Sequence, residues 1–344
     1  VTRLRDIARQ AGVAANTVSK ALRDAPDLSP ATKARIRLLA QQLGYVPDSA
    51  ARTLRTRRTK LFGLVISSMT NPIYSRVVLA IEEGAHEMGY DVLFAHTLNI
   101  PEREEACIRQ MLSRRVDGLF IAPVYRLASE VRIYQEVLAR RVPTVVLGHT
   151  TPFCNQFINV ETDDLQASYT VTRHLLKLGH RRIAFLGGPP ATPWTQERLE
   201  GYRQALREAN LEEDDKLIFT AGRTLEEGAA AARQILAEDS DITAVQAVND
   251  LVAAGCAEAF LEEGFQIPRD VSIAGFGNIL LGAHFRTPLT TTRQPKFRLG
   301  RAAVRTMREL LLGRQPESSR LPAELIVRAS TGTPPAARQL RLLK

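Results

Sequence analysis

The spacing of apolar residues divides the chain into two regimes. At the start, Leu4, Ile7, Ala8 and Ala11 recur at helical intervals and run into Gly12, a residue that ends helices by taking positive φ. A second short helix is predicted from about Ala14. Its Val18, Ala21 and Leu22 share one face, leaving Ala15, Asn16, Thr17 and Lys20 near the N-terminal end or on the opposite side. Ser29-Pro30 reads as the N-cap and first position of a third helix, whose Ile36, Leu39, Ala40 and Leu43 stop at Gly44. Three such helices bury one small core, and two short helices around a tight glycine turn suggest a helix-turn-helix.

Beyond Lys60 the helical spacing gives way to short continuous apolar runs. Leu61-Phe62-Gly63-Leu64-Val65-Ile66, Tyr90-Asp91-Val92-Leu93-Phe94, Gly118-Leu119-Phe120-Ile121 and Thr144-Val145-Val146-Leu147 are separated by helical stretches at 74–88, 102–115 and 130–140. A second series follows at Arg182-Ile183-Ala184-Phe185-Leu186, Leu217-Ile218-Phe219, Ala244-Val245-Gln246-Ala247-Val248 and Val271-Ser272-Ile273-Ala274. Unbroken hydrophobicity favours parallel strands covered by helices on both faces, so two similar α/β subdomains are predicted.

Charge sharpens this division. The chain of 344 residues carries a formal net charge of +9. Residues 1–60 hold ten Arg and three Lys against four Asp, which accounts for the whole excess; the rest is balanced. So segregated a positive module suits a polyanion, either nucleic acid or an anionic membrane surface. With 44% hydrophobic residues the chain is too apolar to be disordered. Cys107, Cys154 and Cys256 lie far apart without a metal-ligand spacing, which reads as small apolar residues in a reducing compartment, with no structural zinc and no cofactor expected. Neither a signal-peptide core nor a membrane span is visible, so a cytoplasmic location is expected.

The ordered motifs Asp6-Ile7-Ala8, Ala11-Gly12-Val13, Asn16-Thr17-Val18-Ser19-Lys20, Leu43-Gly44-Tyr45-Val46-Pro47 and Ala51-Arg52-Thr53-Leu54 resemble the lactose/galactose repressor family of bacterial transcription regulators. The resemblance continues through Asn71-Pro72, Arg115-Val116-Asp117-Gly118, Leu178-Gly179-His180-Arg181-Arg182-Ile183-Ala184, Asn249-Asp250 and Pro288-Leu289-Thr290-Thr291. It implies a helix-turn-helix headpiece at 1–46, a hinge helix and linker at 47–59, and a bilobal body resembling periplasmic binding proteins. The body's lobes would be 60–158 plus 292–328 and 159–291, followed by a tail at 329–344. The chain would cross between lobes near 160, 290 and 320, and the helix at 299–312 would return to the first. A homodimer bound to operator DNA, controlled by a small-molecule effector, is the implied function, and the protein would join the nucleoid when on DNA.

By this resemblance the second helix enters the major groove. Ala15, Asn16 and Lys20 are its base-reading candidates, with Thr17, Ser19 and Arg52 supporting or touching phosphate and Leu54 wedged into the minor groove. The chemistry agrees: Asn pairs with adenine, Lys donates to guanine, and Ala offers apolar contact to a thymine methyl. The plainer alternatives are a capping Asn16, a solvated Lys20 and a Leu54 that contacts only the second protomer. Ala14 departs from the Ser the family usually has there, removing a capping hydroxyl worth about 0.5–2 kcal/mol. Asp48 stands where Asn is frequent. The linker helix is too short to be stable alone, so it is expected to fold only when two chains pair on DNA.

In the body, Arg198, within Glu197-Arg198-Leu199-Glu200-Gly201-Tyr202, matches the family's effector anchor, with Asn249 second. Tyr74 and Trp194 offer rings to a sugar face or pack as core or lid, and Asp163 binds effector or braces a loop. Two departures bear on the ligand: Gly275-Phe276 is followed by Gly277-Asn278 rather than Asp, and Arg223 stands near a common pocket aromatic. An acceptor lost and a cation gained shift the expected effector, with Arg223 and Asn278 among its contacts, towards an anionic carbohydrate such as a sugar acid. The six His are dispersed and no metalloprotease, phosphate-loop or nucleophile-elbow motif is present, so an enzyme is not expected. A carbohydrate receptor without transcriptional activity is the main rival, and the basic headpiece disfavours it. The C-terminal Leu residues form no sustained heptads, giving no warrant for a tetramerising coiled coil.

Overall fold

The computed structural model describes residues 2–46, 58–238 and 241–335. Residues 1–59 and 60–344 form two compact units. In the first, α1 (Leu4–Ala11) ends at Gly12 with φ +64°, α2 (Ala15–Leu22) follows, and α3 (Pro30–Gln42) starts from Ser29, whose Oγ accepts from Thr32 N at 3.2 Å. Ile7, Val18, Ala21 and Ile36 are completely buried and form the core of the three helices. Ala14 occupies the N-cap of α2 with extended backbone and no side-chain bond, so the capping hydroxyl is absent in fact as well as in sequence. Residues 47–57 of the hinge segment, with Asp48, Arg52 and Leu54, lie outside the described residues.

The second unit contains two parallel sheets. β1 (Leu61–Ile66), α4 (Pro72–Glu87), β2 (Asp91–His96), α5 (Pro101–Ser113), β3 (Gly118–Ile121), α6 (Arg132–Ala139), β4 (Thr144–Leu147) and β5 (Ile158–Thr162) build the first lobe. Then α7 (Asp164–Lys177), β6 (Ile183–Gly187), α8 (Pro193–Glu208), β7 (Ile218–Thr220), α9 (Leu225–Ala237), β8 (Ala244–Ala247), α10 (Asp250–Glu262) and β9 (Ser272–Ala274) build the second. After α11 (Leu280–His284) come β10 (Thr291–Arg293), α12 (Lys296–Leu311), β11 (Ser319–Leu321) and β12 (Glu324–Ile326). The sheet orders are β11-β5-β4-β3-β1-β2 and β7-β6-β8-β9, and β10 pairs antiparallel with β12.

Both sheets reverse their winding direction next to the first strand of the lobe, between β1 and β3 and between β6 and β8. Such reversal points open a crevice at the strands' C-terminal ends, which is where α/β sheets receive ligands. Cores on each face hold the strands in place: α4 and α12 pack on one side of the first sheet through Val77, Ile81, Ala303 and Met307, and α5 and α6 on the other through Ile108, Met111, Ile133 and Tyr134. The helix predicted at 299–312 thus does return to the first lobe, beginning three residues earlier than its apolar spacing indicates. In the second lobe, α9 and α10 cover one face and α7 and α8 the other.

The α9–α10 contact depends on two glycines. A Cβ at Gly228 would lie 2.2 Å from the Val252 carbonyl oxygen, and one at Gly255 would lie 1.8 Å from that of Leu225. Because backbone cannot yield as a side-chain tip does, Gly255→Val is expected to cost about 1–3 kcal/mol by overpacking. Urea unfolding of the variant beside wild type measures this, and an unchanged midpoint would contradict the close approach.

Candidate functional site

A cavity of about 320 Å³ lies between the lobes, within the range of small-molecule sites. Strand ends supply its lining: Ser67 after β1, Pro123 and Tyr125 after β3, His149 after β4, Glu161 and Thr162 in β5, and Asn249 after β8. Helix starts supply the rest, including Asn71, Pro72 and Tyr74 of α4, Asp164 of α7, Trp194 and Arg198 of α8, and Thr224 before α9.

Arg198 is the centre of the second lobe's wall. Only 5% exposed, it donates from Nη2 (2.8 Å) and Nε (3.0 Å) to Asp164 Oδ1 and from Nη1 to the Val248 carbonyl oxygen at 2.5 Å. Its guanidinium stacks 3.6 Å from the Phe276 ring centroid and 4.9 Å from that of Trp194. Burial lowers its pKa and the Asp164 charge opposes that shift, which keeps a cation in place where an isolated one would be costly. Gly188 makes room for this stack, since a Cβ there would meet the Trp194 ring at 2.8 Å. The Gly-Gly-Pro-Pro segment is therefore a strand exit that seats an aromatic ring.

A second cluster spans the cleft. His149 Nε2 lies 3.1 Å from Glu197 Oε2, 3.6 Å from Asp164 Oδ2 and 3.8 Å from Glu161 Oε2. Arg320, on β11 of the first sheet, holds Glu197 of the second lobe with Nη1 at 2.9 Å and Nη2 at 2.6 Å, and also reaches Glu161 and Asp163. Burial disfavours the Glu197 carboxylate, yet His149 and Arg320 outweigh it and bring its pKa down to about 2. Burial likewise opposes protonation of His149, but Glu197, Asp164 and Glu161 together raise its pKa.

Of the residues singled out from sequence, Tyr74, Trp194, Arg198, Arg223 and Asn249 line the cavity. Asn249 serves first as the N-cap of α10, accepting from Val252 N at 2.9 Å, while its Nδ2 donates to the Arg223 carbonyl oxygen at 3.3 Å. Asp163 and Asn278 are outside the lining. Asp163 caps α7 through Gln166 N and pairs with Arg320, so it braces the crossover. Asn278 Oδ1 accepts from Arg328 Nη2 at 2.6 Å, which turns its amide into a structural tie. The neighbouring Asp164, and also His149, Glu161 and Asp250, line the cavity without having been picked out. Asp164 was visible only as the second of two adjacent Asp.

In the headpiece, Asn16 is exposed, Thr17 and Ser19 are half-buried, and Ala15 packs partly against the core. Lys20 forms an exposed ion pair with Asp27 at 2.5 Å. The exposed side of α2 thus offers an amide and an ammonium one turn apart, the latter holding a counterion that it must exchange to meet a base. Among the described residues no group of His, Cys, Asp and Glu is arranged to hold a metal, and no helix is long and apolar enough to cross a membrane.

Both units have counterparts among known proteins. Residues 3–48 match the model for bacterial regulatory proteins of the lacI family, and residues 172–331 match a periplasmic binding protein-like domain. The chain is similar to the HTH-type transcriptional regulator DegA of Bacillus subtilis (strain 168), with 31% identity over 96% of this chain and 98% of that one. Among solved structures it resembles the lac repressor dimer bound to operator and the anti-inducer ONPF, with TM-score 0.85, 26% identity, and coverage of 96% of this chain and 99% of that one. It also resembles the transcriptional regulator CelR in complex with cellobiose, with TM-score 0.73, 29% identity, and coverage of 96% and 100%.

Proposed function

The chain belongs to the lacI family of bacterial regulatory proteins, and from that we propose a repressor that acts as a homodimer on a pseudo-palindromic operator and answers to a carbohydrate effector. The observation that carries this reading is one chain holding both a basic three-helix unit and a ligand-sized cleft built at two strand-order reversals. A receptor without transcriptional activity has no use for the first, and an enzyme needs reacting groups for which the cleft, with its charges largely paired, makes little provision. We read the protein as non-enzymatic, cytoplasmic, and nucleoid-associated when bound to DNA.

In this reading residues 1–46 read DNA and 47–59 form the hinge, with Leu54 as minor-groove wedge and Arg52 at phosphate. Residues 60–158 with 292–328 and residues 159–291 are the two effector lobes, and 329–344 is the tail. Ala15, Asn16 and Lys20 read bases, supported by Thr17 and Ser19. Tyr74, Trp194, Arg198, Arg223 and Asn249 contact the effector. The repressor–operator complex of the lac relative and the cellobiose complex of CelR support the DNA, dimer and sugar parts. Effector binding needs only to favour one lobe arrangement by about 1–3 kcal/mol to shift operator occupancy.

Selection of random duplexes by the full chain tests the proposal. A two-fold symmetric site should be enriched, with affinity falling steeply as salt rises. Asn16→Ala is expected to weaken that site by about 1–3 kcal/mol and to relax one position in each half-site. Enrichment of no sequence above background would refute sequence-specific binding.

A further inference from the structure

The cavity lining contains three cationic side chains and three carboxylates, and their pairing leaves one charge without a counterpart. Arg198 is matched by Asp164 and His149 by Glu197. Glu161 accepts from Asn159 Nδ2 at 2.8 Å and Arg320 Nη1 at 3.1 Å, and Asp250 accepts from Thr291 Oγ1 at 2.5 Å and Ile279 N at 2.8 Å. Every carboxylate of the lining is therefore already engaged. Arg223 is not: among the described residues its guanidinium has no carboxylate within 4.0 Å, and its Nε is buried with no hydrogen-bond partner. Glu227, four residues on, is taken up by the amides of Arg223 at 2.6 Å and Thr224 at 2.8 Å, where it closes the capping box of α9.

The backbone adds to the imbalance. Asn71, Thr224 and Asn249, the N-caps of α4, α9 and α10, all line the cavity, so three helices of 13 residues or more begin at its wall with their positive ends. Burial works against the Arg223 cation and lowers its pKa, and Tyr74 and Glu227 offset that cost only in part. The remaining lining is suited to hydroxyls: Ser67, Ser68, Thr70 and Asn99 are polar, and Gln294 Oε1 is a buried acceptor without a donor.

We infer that the molecule received in this cleft is a polyhydroxylated anion, whose carboxylate or phosphate group sits against Arg223 while its hydroxyls face the polar lining of the first lobe. The inference deepens the effector reading of the cleft and rests on it. Arg223 is then the residue that sets the charge class of the ligand, and Arg198, already neutralised by Asp164, contributes shape and hydroxyl recognition.

Trp194 is the protein's only tryptophan and lines the cavity, so its fluorescence reports occupancy directly. Titrations of the full-length protein with matched probes test the charge class: D-glucose, D-gluconate and D-glucose 6-phosphate, D-ribose and D-ribose 5-phosphate, and inorganic phosphate. At least one anionic member should bind about tenfold or more tighter than its neutral counterpart, as expected for a charge-assisted contact. The gluconate and phosphate-ester arms distinguish a carboxylate from a phosphate. Arg223→Gln should bring the paired probes within about threefold of each other, Arg223→Lys should restore part of the preference, and circular dichroism checks that both variants are folded. Neutral sugars binding as tightly as the anions would overturn the inference and leave the effector reading standing. An anion preference unchanged in Arg223→Gln would overturn the assignment to Arg223. Silence towards all six probes, inorganic phosphate included, would overturn it too, whereas the effector reading fails only if no small molecule, neutral sugars included, alters operator affinity.

Discussion

Arg198→Leu is expected to destabilise the body by about 3–5 kcal/mol, because it removes the guanidinium that neutralises the buried Asp164 carboxylate. Asp164 is 2% exposed and receives two bonds from Arg198, leaving only His149 at 3.6 Å on its other oxygen. The leucine would also leave the Val248 carbonyl oxygen without its donor and the Trp194 and Phe276 rings without the plane they stack on. Arg198→Lys should recover little, since an ammonium cannot present the planar fork that reaches both Asp164 and Val248. Urea unfolding measures the loss. The double change Arg198→Leu with Asp164→Leu gives the sharper comparison: with no charge left unpaired, it should be more stable than Arg198→Leu alone. Equal stability of the single and double variants would show that packing, not the unpaired carboxylate, dominates.

The same pair marks how far the sequence could be read. The eight apolar runs became β1 to β4 and β6 to β9 within one or two residues, because strands buried on both faces must be continuously apolar. β5 escaped this test: Asn159 and Glu161 alternate with apolar residues, since one side of the strand carries the polar network of the cleft. β10, β11 and β12 have three residues each and are held by partners distant in sequence, so no local pattern could announce them. At the site, family likeness led to Arg198, Trp194 and Asn249 but also to Asp163 and Asn278, whose side chains serve a helix cap and an Arg328 tie. Asp163 and Asp164 are chemically identical neighbours, and only the start of α7 decides which one turns inwards. Arg223 was recognisable as an unusual cation. Its lack of a counterion was not, because pairing is a property of tertiary geometry.

Glu197→Gln is expected to weaken the pH dependence that the cross-cleft cluster gives the body, and to cost about 1–2 kcal/mol near pH 6. The Glu197 pKa falls from 4.5 to about 2, which corresponds to roughly 3 kcal/mol, and solvent around the exposed Arg320 screens part of it. Because the folded value is depressed, this stabilisation is complete above pH 4.5 and is lost as the pH falls towards 2. His149 works in the opposite sense. Its folded pKa is raised above 6.5, so its contribution is complete below that value and is lost as the pH climbs through the raised one. Glu161, raised by burial, adds a loss of the same sign once it ionises above 4.5. Both ends of the His149–Glu197 contact are charged between pH 4.5 and 6.5, and melting temperatures of the wild type should peak in that window and decline through neutrality. In Glu197→Gln the alkaline decline should flatten, because His149 keeps only Asp164 and Glu161, at 3.6 and 3.8 Å, to hold its proton. His149→Gln should flatten it as well while leaving the acid limb, where Arg320 still grips Glu197. An alkaline decline of wild-type steepness in both variants would place the titrating group elsewhere. Since His149 and Arg320 belong to the first lobe and Glu197 to the second, the same protonation weighs on the lobe arrangement that effector binding shifts, and operator occupancy at fixed effector should follow the same profile.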